Sequence, residues 1–249
     1  MNIHLKAIDI VVIGISAALY AVFGVLTAGL NFLGVGFLPA VVIPAIFAVL
    51  YGPWVGGLGA AIGIFIRDML VHGNAALSLV AGVPANFIVF FLIGYIALRQ
   101  ISLKYSLVGI TVAAIGLLVP TLVFLPDFAA YTGLSAEYFL LTFGLTIILS
   151  LVIIAIVSIR YKEWRSYAIG AVVGQIIGAA LLSVTVWVVS PLFLDYFGVP
   201  FAAIYILPLF IWTFATEVPF VLLLGPPIIK VCYRAFPSLR KRKEHREPQ

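Results

Sequence analysis

Long apolar stretches alternate along this chain with short runs of polar and turn-forming residues. Divided at those runs, the pattern predicts eight spans: 9–30, 37–51, 53–71, 78–98, 104–125, 138–159, 166–190 and 201–224. Most are close to the ~20 residues that a helix needs to cross hydrocarbon. The segment 37–51 is shorter, which suits a tilted, re-entrant or partly irregular span.

Composition agrees with the pattern. Of 249 residues 64% are apolar and only 9% charged, with a mean hydropathy of +1.25. A soluble domain carries roughly 25% charged residues. A soluble enzyme, a nucleic-acid-binding domain and a disordered tail protein are therefore excluded. No short apolar core followed by a small-residue cleavage site opens the chain, so the first run reads as a permanent span. Cys232 is the single cysteine, too few for an internal disulfide or a cysteine metal cluster.

Charge then orients the bundle. With eight spans and a cytoplasmic N-terminus, thirteen of the fourteen Lys and Arg residues fall on the inner side, Arg67 being the exception. The outer loops carry Asp127, Glu137 and Asp195 instead. The positive-inside rule asks for this asymmetry. The fold class expected is an all-α polytopic membrane bundle of about eight helices, with both termini cytoplasmic. It forms a single membrane domain over 1–236, followed by a basic cytoplasmic tail at 237–249 that meets anionic lipid. Gly225 and Pro226 suggest that the last span ends there and that a short interfacial helix follows.

Ionisable and strongly polar side chains are costly in hydrocarbon, so those within the spans are functional candidates. Glu217 lies twelve residues past Tyr205, about 18 Å along a helix and near the midplane. It could contact a cation or a hydrogen-bond donor, or bond a neighbouring carbonyl near Pro219. Arg67 and Asp68 sit in the outer third of the third span. As helix neighbours they point about 100° apart, so each is expected to find a partner elsewhere, Asp195 being one choice for Arg67. Asn86 follows Pro84 and either mends the backbone there or faces a ligand. Gln175 lies in the seventh span, and Asn31 and Asn74 belong to outer loops. Trp187 and Tyr205 suit an interfacial belt, while Trp212 is deep enough to stack on a flat heterocycle. His72, a lone histidine across Gly73 from Asn74, is read as structural or solvated rather than as a metal ligand.

Small residues recur at helical spacing: Ala17 and Ala21 with Gly14 and Ala18, then Gly52, Gly56 and Ala60, then Gly174 and Gly178. Such faces either pack within the bundle or receive a partner helix. Walker A, H-E-x-x-H and G-x-S-x-G motifs do not occur.

Four stretches together resemble the substrate-binding S components of energy-coupling factor vitamin transporters. They are AALYAVFGVL with Ala17 and Ala21, FLPAVVIPAIFAVLYGPWVGGLGAAIGIFIRDML with its Gly52–Pro53 turn and Asp68, VAGVPANFIVFFLIGYIA, and the last span with Pro219, Gly225 and Pro226. The resemblance covers 9–98 and, more loosely, 166–234. That family has six helices, so 104–160 reads as an inserted hairpin.

The resemblance implies a non-enzymatic, cofactor-free subunit of the cell membrane. It would capture a small water-soluble nutrient from outside and dock, through Ala17 and Ala21, on a transmembrane coupling subunit driven by two ATPase subunits. Its pocket would draw on Asn31, Arg67, Asp68, Asn74, Asn86, Gln175, Trp187, Tyr205, Trp212 and Glu217. Rival readings are a stand-alone ion-coupled transporter working through Glu217, and a membrane enzyme or scaffold.

Overall fold

The computed structural model describes residues 5–132 and 135–239. His4, His245 and most of the expected basic tail, with Arg240, Lys241, Arg242, Lys243 and Arg246, lie outside them. The described chain is a helical membrane bundle. Six helices are long and apolar enough to cross a bilayer, and two shorter apolar helices, Pro39–Tyr51 and Ile147–Arg160, fill the remaining places in the eight-segment pattern.

Helix α1 runs Ala7–Leu26, with Asp9 reaching back to the Lys6 amide at 3.0 Å to close its first turn. A two-stranded hairpin follows, β1 Asn31–Phe32 and β2 Val35–Gly36, paired antiparallel. Its two turn residues, Leu33 and Gly34, both have positive φ (50° and 79°), the geometry of a type I′ turn. After a 3₁₀ turn at Pro39–Val41 comes α2, Val42–Tyr51. Thirteen helical residues reach only about 20 Å, so the hairpin completes this layer at one end. Gly52 turns the chain into α3, Pro53–Val71.

Helix α4 spans Ala75–Ala97 and contains a π-turn at Ser78–Gly82, just ahead of Pro84. Helices α5 (Leu103–Thr132) and α6 (Leu145–Arg160) form the extra pair, which packs on α7 (Arg165–Val189) and α8 (Ile206–Ala235). In the core, α3 lies between α1 and α4, and α7 lies between α4 and α8.

Two expectations are corrected here. Helix α8 does not stop at Gly225; it continues unbroken through Pro226 and Pro227 to Ala235. Gly225 is buried against the Tyr167 ring, and the Tyr167 hydroxyl donates to the Val221 carbonyl at 2.7 Å. A neighbouring helix thus braces the backbone where the prolines weaken it. Ala17 and Ala21, expected on a docking face, are each only 2% exposed. They pack inside the bundle, where Gly63 of α3 comes up against the Ala17 backbone. Gly14 and Ala18 of α1, one helical step around, face outward.

The ends of the bundle differ in chemistry. The hairpin, the 72–77 loop and the 190–205 segment meet at one end, where the Tyr196 hydroxyl donates to Gly34 O at 3.0 Å. Arg99, Arg160, Lys162 and Arg165 gather at the other.

Candidate functional site

A cavity of about 80 Å³ lies beneath the β1–β2 hairpin at the end away from the basic loops. Gly34, Val35 and Gly36 roof it, Tyr196 and Phe197 close one side, and Arg67, Asp68, His72, Asn86 and Glu217 supply its polar walls. Residues from five separate segments therefore share one hollow.

Arg67 and Asp68 are at its centre, 6% exposed each. They pair directly, Arg67 Nη1 to Asp68 Oδ1 at 3.0 Å. The expectation that helix neighbours cannot meet fails because the arginine stem is long enough to bring its guanidinium round the helix. Asp195 lies exposed on its loop. Asp68 has further partners, since the Ser78 hydroxyl donates to its Oδ2 at 2.7 Å and His72 Nε2 lies 3.6 Å from its Oδ1. The π-turn brings Ser78 into the helix face opposite α3. Gly82, at the end of that turn, has no side chain to block the Asp68 carboxylate. Gly36 plays the same part for the roof, because a Cβ there would collide with the Arg67 guanidinium. The Arg67 Nε is buried and has no hydrogen-bond partner among the described residues.

Asn86 stands on the cavity wall and mends the backbone before Pro84. Its Nδ2 donates to the Gly82 carbonyl at 3.0 Å, mending the turn before Pro84, while its Oδ1 accepts from the Tyr20 hydroxyl at 2.6 Å. Deeper in the bundle, Gln175 Nε2 donates to Glu217 Oε2 at 2.9 Å. Glu217 lines the cavity. The Gln175 Oε1 is buried without a partner among the described residues.

The other candidates stand around this hollow rather than on its wall. Trp212 Nε1 donates to Val35 O at 3.0 Å and its ring lies 5.6 Å from Phe32, so it pins the hairpin. Asn74 caps the start of α4, its Oδ1 accepting from Leu77 N at 3.0 Å. Trp187 and Tyr205 pack in the apolar cluster under the loops, and Asn31 is exposed at the hairpin base.

Sequence reasoning missed Tyr20, Ser78 and Tyr196 and gave His72 a structural part. Tyr20 had one usable signal, a hydroxyl inside an apolar helix that must find a partner. Tyr196 had none, since its place depends on how the 190–205 segment folds over the hairpin. Burial and the nearby Asp68 carboxylate raise its phenol above the usual tyrosine value.

The groups around the hollow are polar donors and acceptors. Ser78, Asp68 and His72 meet, but the serine donates to the carboxylate and the imidazole lies on the carboxylate's other oxygen. A nucleophile requires the reverse order, with hydroxyl bonded to imidazole. A guanidinium, two carboxyl groups and an amide around one hollow instead supply both donors and acceptors.

No protein-family model and no solved structure matches the chain. A UPF0397 protein of Aliivibrio fischeri strain MJ11 is 39% identical over 80 residues, 32% of this chain. One from Aliivibrio salmonicida strain LFI1238 is 38% identical over the same length. The chain spans 44% of the length of these curated relatives. It is a multi-pass helical membrane protein with partial sequence similarity to UPF0397 proteins.

Proposed function

We propose that the chain is the solute-capturing subunit of a nutrient uptake system in the cell membrane, of the kind represented by the S components it resembles. One observation carries this reading: Arg67, Asp68, Asn86 and Glu217, scarce polar groups spread over 150 positions, line a single hollow at the end away from the basic loops. Structural pairing alone does not require them to share a space. The solute is small, water-soluble and polar, with hydrogen-bonding groups that answer a guanidinium and a carboxyl together. A vitamin or vitamin precursor has that character.

The cavity of about 80 Å³ is smaller than such a solute, so entry requires the hairpin to lift. The bonds that hold the hairpin include Tyr196 to Gly34 O and Trp212 to Val35 O. Transport needs partners, a transmembrane coupling subunit and two ATPases. Their contact face on α1 is the outward pair Gly14 and Ala18, where a Cβ on Gly14 would meet nothing within 4 Å.

The test is uptake and retention together. Solute retained by the purified chain, with uptake lost when the partner ATPases are inactivated, supports the reading. Uptake into liposomes by this chain alone, abolished by collapsing an ion gradient and by Glu217→Gln, supports an ion-coupled transporter instead.

A further inference from the structure

Two hollows follow one another along the extra helix pair, the first at the basic end of the bundle and the second further into it. The first, about 660 Å³, is open and is lined by Arg99, Arg160, Lys162, Glu163 and Ser166 among others. The second, about 370 Å³, is walled by apolar side chains and glycines of α5, α6, α7 and α8, including Ile110, Leu117, Ile154, Val173 and Phe210. Helix spacing joins them. Ser166 faces the first, and Ile169, Val173 and Ile176, at successive helical steps of 3, 4 and 3 residues, face the second. Ser166 and Ile169 are about 4.5 Å apart along the axis. A single stripe of α7 therefore runs from a cationic hollow into an apolar crevice.

In the first hollow Arg160 and Lys162 are exposed and have no ion-pair partner among the described residues. Arg99 bonds the Tyr95 hydroxyl at 2.5 Å and lies 4.5 Å over its ring. Among the described residues that line it, the acidic one, Glu163, accepts from Trp164 Nε1 at 3.0 Å. The balance stays positive.

We propose that this is a binding site for an anionic phospholipid. The phosphodiester sits among Arg160, Lys162 and Arg99, and an acyl chain fills the crevice between α5 and α7. Basic hollows between helices suit such headgroups. A soluble anion would use only the first hollow and leave the crevice without a role. The lipid would fasten the extra helix pair to the core, independently of the solute site.

The test is lipid binding to the purified full-length chain in detergent by native mass spectrometry. Phosphatidylglycerol and phosphatidylcholine of matched chains are compared, with glycerol phosphate as the headgroup alone. Phosphatidylglycerol should bind in preference to phosphatidylcholine. Arg160→Gln with Lys162→Gln, both on the surface, should weaken it by about 30-fold and leave phosphatidylcholine unchanged. Gly116→Leu adds bulk where a Cβ meets nothing within 4 Å and should reduce retention by filling the crevice. Equal binding of both lipids, unchanged phosphatidylglycerol affinity in the double variant or in Gly116→Leu, or glycerol phosphate binding as tightly as the lipid would each overturn the proposal.

Discussion

Gln175 and Glu217 stand 42 positions apart and meet in the bundle interior, amide nitrogen to carboxyl oxygen at 2.9 Å. Each is the strongest polar group of its helix at that depth. A carboxyl group in hydrocarbon is costly unless bonded, so the pair fixes how α7 and α8 face one another. Gln175→Leu should leave Glu217 unsatisfied and destabilise the protein by about 1–3 kcal/mol. Glu217→Gln keeps a hydrogen-bonding partner and should cost less than about 1 kcal/mol. Thermal unfolding in detergent checks the order of the two.

Asp68 has the most partners in the cavity, with Arg67, Ser78 and His72 around it. Asp68→Asn strands a buried guanidinium, a loss of about 3–5 kcal/mol. Ser78→Ala removes one of several bonds and should cost about 1–2 kcal/mol. If the two variants unfold at the same temperature, the Arg67–Asp68 pair is not an organising contact.

The roof is tested at Gly36. Gly36→Val places its side chain against the Arg67 guanidinium and must displace the hairpin. Helical content should hold while solute retention falls at least tenfold, since the outer helices do not depend on β1–β2. Helical circular dichroism and a retention assay, read on one preparation, separate the two effects.

Alkaline pH should loosen the same roof. The Tyr196 phenol titrates above its ordinary value of 10.0 because of burial and the Asp68 carboxylate. Its contribution is whole below about pH 10 and declines as pH rises from there through the folded value, because the unfolded chain gives up that proton first. In wild type, protease cleavage within the hairpin should rise above pH 10. Tyr196→Phe should cleave faster at neutral pH and show a flatter alkaline rise.

Much of the fold is legible in the sequence because hydrocarbon imposes a coarse code. The eight apolar segments, the short second span and the basic end follow from length and charge alone. Helix ends are less legible. Pro226 and Gly225 read as a break, yet Tyr167 braces α8 from a helix nearly sixty positions away. Arg67, Asp68, Asn86 and Glu217 could be chosen by cost of burial. Their shared hollow, and the entry of Tyr20, Ser78 and Tyr196, depend on the hairpin and the π-turn, which no hydrophobic pattern announces. The Ala17–Ala21 face shows a related limit, since small residues at helical spacing mark close packing without saying against what.

Docking is tested on the outward face of α1. Gly14→Trp with Ala18→Trp should leave solute retention unchanged and abolish uptake that depends on partner ATPases. Loss of retention instead would mean that this face supports the bundle itself.

The most direct measurement is mass spectrometry of the small molecules released when the purified protein is denatured, for wild type, Arg67→Gln and Glu217→Gln. One polar solute near one equivalent in wild type, lost from both variants while each remains helical and monodisperse, is the expected result. The same small molecules at the same level in all three proteins would contradict a shared solute site.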